Sequence, residues 1–191
     1  MGKTLTLITG GARSGKSAFA QSLAAKLGRH VTFVATAEAR DAEMEARIAD
    51  HRRARPSHWR TVETPTGAAE AVRAAAGAQV IVLDCLALLV SNLLLQEEDP
   101  AGAETRVSEE IEGIIAAYEA GAAHLVVVTN EVGLGVVPAY ELGRVFRDLI
   151  GRANARLAKA ADAVYWMMSG LALEIKASGL ATPWEQVDVR T

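Results

Sequence analysis

The sequence predicts an α/β fold, a mostly parallel sheet with helices on both faces. Short β-branched runs such as "VTFVA" (31–35), "VIVLD" (80–84) and "LVVVT" (125–129) alternate with longer segments of helical pattern. These runs are apolar nearly throughout rather than at alternate positions, which marks strands covered on both faces. The polar motifs follow directly on strands, where open parallel sheets collect their ligands.

Taken in order, Thr4–Thr9 reads as a buried strand, Ser17–Leu27 as a helix and Val31–Ala35 as a second strand. Ala42–Arg55 is helical and stops before Pro56, because the residue preceding proline disfavours the helical conformation. Trp59–Glu63 is a short extended piece. Thr66–Ala75 is a helix with Thr64 or Thr66 as its N-cap. Val80–Asp84 is a strand, and Leu86–Leu95 a helix apolar nearly all round, hence covered on most sides. Glu97–Thr105 contains Pro and Gly and reads as a surface loop before a helix over Val107–Ala120. Leu125–Thr129 is a strand, Val137–Ala161 mostly helix, Val164–Met168 a strand and Gly170–Lys176 a last strand. The expected organisation is one domain over residues 1–176 and a C-terminal tail, 177–191, with no clear period.

Composition narrows the function. With 191 residues, half of them hydrophobic, the chain suits one globular domain. A formal net charge of −3 argues against wholesale nucleic-acid binding but leaves room for a local basic pocket. The single cysteine, Cys85, excludes an intrachain disulfide framework and a CxxC metal site. It sits in an apolar run, as a small buried hydrophobe would. No signal peptide is visible and no apolar run could span a bilayer, so the cytoplasm is the expected compartment.

"GGARSGKS", Gly10 to Ser17, matches the phosphate-loop pattern G-x-x-x-x-G-K-[ST] between a strand and a helix, the context the motif requires. Its glycines let backbone N–H groups turn toward phosphate oxygens, and the helix N-terminus adds partial positive charge. Lys16 is expected at the terminal phosphates and the Ser17 hydroxyl on Mg²⁺. Arg13 and Ser14 lie within the loop; Arg13 either touches phosphate or a neighbouring subunit, or is solvated. Asp84 ends a buried strand, placed either to hold Mg²⁺ or its water shell, or to cap the helix that follows. Asn130 and Glu131 follow another buried strand. Glu131 either orients a hydroxyl nucleophile or a metal water, or holds its loop, whose Gly133 and Gly135 suggest a tight turn near the site.

The helix over 42–55 poses a question, because it carries a lone histidine among arginines. At 100° per residue, Met44, Ile48, His51 and Arg55 fall in a stripe roughly 60° wide. Met44 and Ile48 face the protein, so His51 faces inward too, with Arg52 beside it and Arg53 on the far side. A core histidine is one reading. The other is a neutral imidazole, kept so by neighbouring like charge, that attacks a phosphorus atom while arginines neutralise the phosphate oxygens. His58 reads as structural, and His30 and His124 as surface residues.

At these residues the chain resembles the bifunctional adenosylcobinamide kinase / adenosylcobinamide-phosphate guanylyltransferase family of cobalamin biosynthesis. The resemblance runs over residues 5–176. It is carried by "ITGGARSGKS", "VATAEARDAEMEARIADHRRARPSHWRTVE", the "NLL" of 92–94, "VTNEVGLGVVP" and "FRDLIGRANARLAKAADAVYWMMSGLALEIK". It implies a P-loop NTPase fold of RecA-like type assembled as a homotrimer. It implies phosphorylation of adenosylcobinamide by ATP or GTP. Transfer of GMP from GTP to an enzyme histidine follows, and then to adenosylcobinamide phosphate. The guanylylated histidine of the family falls on His51. Nucleotide contacts fall on Gly10, Gly11, Ala12, Arg13, Ser14, Gly15, Lys16 and Ser17, on Ala35, Thr36 and Ala37, on Arg52, Arg53, Ala54 and Arg55, and on Glu63 and Asp84. Glu63 suits guanine, whose N1–H and N2–H₂ a carboxylate can accept. The chain departs from the pattern at Asp84, where relatives often carry Glu, and at Asp50, where some carry a second histidine. Other readings are a member with transferase activity alone, a plain P-loop small-molecule kinase with a structural His51, and a RecA-like nucleotide switch.

Overall fold

A computed structural model describes residues 2–176. The tail over 177–191 lies outside the described residues. The elements run β1 (Leu5–Gly10), α1 (Lys16–Leu27), β2 (Val31–Ala35), α2 (Ala42–Ala54), β3 (Arg60–Glu63), α3 (Ala68–Ala74), β4 (Val80–Asp84), α4 (Leu86–Leu94), α5 (Pro100–Ala120), β5 (His124–Val128), α6 (Glu141–Ala160), β6 (Ala163–Met168) and β7 (Leu171–Glu174). The described strands form one sheet in the order β3-β2-β4-β5-β1-β6-β7. All neighbours pair in parallel except β6 and β7, which form an antiparallel hairpin.

Every residue of β2 is buried although its side chains point alternately to opposite faces, so both faces of the sheet are covered there. Helix α1 packs on β1, β4 and β5, while α3, α4, α5 and α6 pack mainly on one another and on β1 and β2. Helix α4 is buried on most sides, as its composition requires. The parallel strands end together, so Gly10, Ala35, Glu63, Asp84 and Val128 bring the segments after them to one edge.

Most boundaries shift from the sequence reading by one or two residues, and three differences have a physical reason. Residues 100–105 are not loop but the first turns of α5. Asp99 caps that helix by accepting from Gly102 N–H at 3.2 Å, and Pro100 stands at its start, where the missing N–H costs nothing. Helix α3 is capped by neither Thr64 nor Thr66; its N-cap is Gly67 at φ 75°. Helix α6 begins at Glu141 rather than Val137, with Arg144 Nη1 donating back to the carbonyls of Pro138 (3.1 Å) and Ala139 (2.8 Å).

Candidate active site

The phosphate loop leaves β1 at Gly10, whose φ is +148° and where a Cβ would lie 2.2 Å from the Met167 carbonyl oxygen of β6. Only glycine fits that approach. Gly15 (φ 94°) precedes α1, and Arg13, exposed, takes a left-handed φ of 55°. Gly11 and Ala12 are exposed and Ser14 is buried. The hairpin turn braces the loop from below, with Gly170 N–H donating to Ser14 O at 3.2 Å. Lys16 is buried and its Nζ donates to Gly11 O at 2.6 Å. Burial pushes its pKa down, the Cys85 and Asp84 side chains oppose this, and the nearby positive charge of Arg47 adds to it.

Asp84 ends β4 beside this loop. It does not cap α4, whose N-cap is Cys85 with no side-chain bond to the helix. Burial pushes its carboxyl above the ordinary carboxylate range, opposed by the nearby Ser17 hydroxyl, by the His51 side chain and by the charges of Arg55 and Lys16. One carboxylate oxygen, Oδ2, is enclosed with no hydrogen-bond partner among the described residues. A carboxylate with a free buried oxygen and a serine hydroxyl against it suits a hard cation such as Mg²⁺. Cys85 is buried and its thiol pushed up to about 12, mainly by burial, so it is inert.

The segment after β2 is locked to its neighbours. Ala35 is buried, Ala37 half-buried, and Thr36 has no accessible surface. The Thr36 hydroxyl donates to Cys85 O (2.7 Å) and accepts from Cys85 N–H (2.9 Å), its own N–H donates to Asp84 O, and its carbonyl accepts from Asn92 Nδ2 at 2.9 Å. The hydroxyl and N–H of Thr36 are thus engaged within the protein, where they position the Asp84–Cys85 segment. Asn92, in the "NLL" stretch, also donates to Pro65 O at 2.9 Å, joining three strand-end segments.

Helix α2 crosses this edge. Met44, Ile48, His51 and Arg55 do face the protein, but all four are only half-buried, and no residue of α2 is fully buried against the described residues. The reason is that α2 lies over the strand ends and not on a sheet face. Its end is held by Arg55, whose guanidinium stacks 3.7 Å from the Phe33 ring centroid. The Nε and Nη1 of Arg55 are enclosed without a hydrogen-bond partner among the described residues, and burial pushes its pKa down. Arg52 Nε donates to Glu63 Oε1 at 2.8 Å. Arg53 points away, exposed, and pairs with Asp50; Ala54 is exposed as well. A groove of about 430 Å³, lined by Ala37, Glu38, Ile48, Arg52, Glu63 and Pro65, opens between α2 and the ends of β2 and β3, within the range of small-ligand clefts.

The loop after β5 joins the same edge. Glu131 N–H donates to Gly10 O at 3.1 Å, and Glu131 Oε1 accepts from Gly133 N–H at 2.5 Å. Thr129 Oγ1 donates to Asn154 Oδ1 at 2.7 Å, and Asn154 Nδ2 to Asn130 O at 3.1 Å. Of the other histidines, His58 and His30 are exposed. His124 is not a plain surface residue: it opens β5 half-buried, with Nδ1 2.9 Å from Thr4 Oγ1 and 3.1 Å from Thr4 N. Sequence reasoning assigned nothing to Arg47, Asn92 or Asn154; their positions follow from which strand ends meet.

This arrangement has relatives. The sequence pattern of the family described as cobinamide kinase / cobinamide phosphate guanyltransferase matches residues 6–175. The bifunctional adenosylcobalamin biosynthesis protein CobU of Escherichia coli is 42% identical over 181 residues, covering 90% of this chain and 99% of its own length. The protein of the same name from Salmonella typhimurium is 43% identical over 181 residues, with 90% and 99% covered. The bifunctional adenosylcobalamin biosynthesis protein CobP of Pseudomonas aeruginosa is 42% identical over 175 residues, with 91% and 98% covered. A phosphate loop at the edge of a mostly parallel sheet, matched along nearly the whole length of these proteins, identifies the chain as a member of the cobinamide kinase / cobinamide phosphate guanyltransferase family.

Proposed function

We propose that this chain performs two transfers at the strand-end site: ATP or GTP phosphorylates the aminopropanol hydroxyl of adenosylcobinamide, and GTP then delivers GMP, through His51, to adenosylcobinamide phosphate. The observation that carries the covalent half is the placement of His51 on α2, facing the edge where Asp84, Ser17 and Lys16 meet. One imidazole nitrogen attacks the α-phosphorus of GTP. A P–N bond forms, the bond to the bridging oxygen breaks, and pyrophosphate leaves; the proton on the ring's other nitrogen goes to solvent. A phosphate oxygen of the acceptor then attacks the same phosphorus, the P–N bond breaks, the departing imidazole takes up a proton from solvent, and the product is adenosylcobinamide-GDP with His51 restored.

Around these steps the residues divide the work. Loop N–H groups from Gly10 to Ser17 and Lys16 hold the phosphates. Arg55, a cation whose enclosed donors have no partner among the described residues, suits a phosphate oxygen. Glu63, at the groove, suits the guanine edge. Ser17 and Asp84 would hold Mg²⁺, which when bound neutralises phosphate charge. Trp166 pairs with Leu173 and Met168 with Leu171 across the hairpin, and all four side chains are exposed, an apolar strip that supports a subunit contact in the homotrimer we propose. Among the described residues no helix is long and apolar enough to cross a membrane; the cytoplasm, where ATP and GTP are held, is the compartment this chemistry needs.

The test is incubation with α-³²P-labelled GTP and Mg²⁺ followed by denaturation, for wild type and His51→Ala. An acid-labile, alkali-stable label in the wild type alone is expected. A wild type that binds GTP yet takes no label rejects the covalent route. A label that persists in His51→Ala moves the nucleophile elsewhere, with His58 next.

A further inference from the structure

Helix α2 turns its two flanks to different neighbours. On a 100° wheel Met44, Ile48 and Arg55 fall within about 40° of one another and make the protein-facing centre. Ile48, Ala49 and Arg52 carry on to one side, where they line the groove toward Glu63 on β3. Arg47 and His51 fall on the other side, four residues and so one turn apart. That side is turned away from β3, because Arg52 on the first flank is bonded to Glu63, and so looks toward β4 and the strands beyond it; the positive charge of Arg47 also bears on Lys16. The sheet order explains the division, since β3 lies beyond β2 on one side of the site while β4 lies on the side leading to β1.

Arg47 is exposed and makes no ion pair among the described residues, unlike Arg52 and Arg53 on the same helix, which pair with Glu63 and Asp50. An uncommitted guanidinium therefore stands one turn before the nucleophile, on the flank that looks at the lysine of the phosphate loop. Resting on the reading of His51 as the guanylylated residue, we propose that Arg47 is a further catalytic residue, which binds the β- and γ-phosphates of GTP and holds them as they leave as pyrophosphate. When the bond from the α-phosphorus to its bridging oxygen breaks, the electron pair stays on that oxygen and the leaving group gains negative charge. Lys16 answers it with one compact charge. A guanidinium that stays protonated and can bond two oxygens at once completes the neutralisation.

Pyrophosphate takes part only in the first half-reaction and its reversal; attack by the acceptor phosphate on the guanylyl-histidine does not involve it. The test uses this asymmetry. Guanylylated enzyme, freed of GTP, is mixed either with pyrophosphate, to reform GTP, or with adenosylcobinamide phosphate, to form product, for wild type, Arg47→Ala and Arg47→Lys. In Arg47→Ala, guanylylation by GTP and its reversal should slow by roughly 10- to 100-fold, the scale of a lost charge-assisted bond. The KM for pyrophosphate should rise, while discharge to the acceptor stays within about 3-fold, and Arg47→Lys should recover part of the loss. Unchanged guanylylation overturns the proposal. So does equal slowing of both half-reactions, which would make Arg47 a residue that merely positions α2. A wild type that takes up no label overturns the His51 reading itself, and this one with it.

Discussion

Arg52 and Glu63 tie helix α2 to the end of β3, with Arg52 Nε donating to Glu63 Oε1 at 2.8 Å and Nη2 reaching the same oxygen. Both side chains are about half exposed, so the pair contributes on the order of 1 kcal/mol or less. For guanine to bond Glu63, Arg52 must share or release the carboxylate. Glu63→Gln, which replaces one acceptor oxygen with a donor, is expected to lower the preference for GTP over ATP in histidine labelling by roughly 10- to 100-fold. Competition between labelled GTP and unlabelled ATP measures it. An unchanged preference would reduce Glu63 to a tether for α2.

Asp84 carries a second expectation. Burial raises its folded pKa above the ordinary value. Any stabilisation tied to the protonated form is complete below the unfolded pKa of about 3.9 and is lost as pH rises through the folded value. Near pH 8 the ionised carboxylate is then a cost to the metal-free protein. Asp84→Asn, melted in a chelator, should have the higher Tm at pH 8, with the advantage shrinking toward pH 4, while guanylylation falls. About 1 kcal/mol corresponds to roughly 2–4 °C at this chain length. A lower Tm for the variant at pH 8 would mean that the contacts of the carboxylate with Ser17 and Arg55 outweigh its burial.

The ion pair between Glu112 of α5 and Arg156 of α6 predicts the opposite pH dependence. Arg156 Nη2 donates to Glu112 Oε2 at 2.8 Å, and this bonding holds the carboxyl below its ordinary range. A depressed pKa stabilises above the unfolded value of about 4.3 and stops doing so as pH falls through the folded one. Glu112→Gln should thus lower Tm by about 2–4 °C or less at pH 7, since the pair is exposed, with the loss shrinking toward pH 3. Equal loss at both pH values would assign the effect to packing.

Much of the site was legible in residue order. The loop from Gly10 to Ser17 declares itself because backbone curvature, a lysine and a hydroxyl are all needed at fixed spacing. The inward stripe of α2 was legible from periodicity, and the structure places His51 on it. Its depth was not: periodicity reports which way Ile48 points, but how far it is covered depends on what lies beneath, and α2 lies across strand ends. The first turns of α5 were misread because Pro100 and Gly102 look like breakers until Asp99 is seen as a cap with Pro100 at the tolerated first position.

Local order thus specified the strands, the phosphate loop, the end of α2 before Pro56 and the family, because each depends on neighbours within a few residues or on a pattern carried along the chain. Tertiary structure alone decided that Gly10 must be glycine, through the carbonyl of Met167 more than 150 residues away. It alone decided that Thr36 is engaged by Asp84, Cys85 and Asn92, that Glu63 is held by Arg52, and that Arg47 lies on the flank of α2 away from that pair. Sheet order sets these meetings, and strands adjacent in space need not be adjacent in sequence.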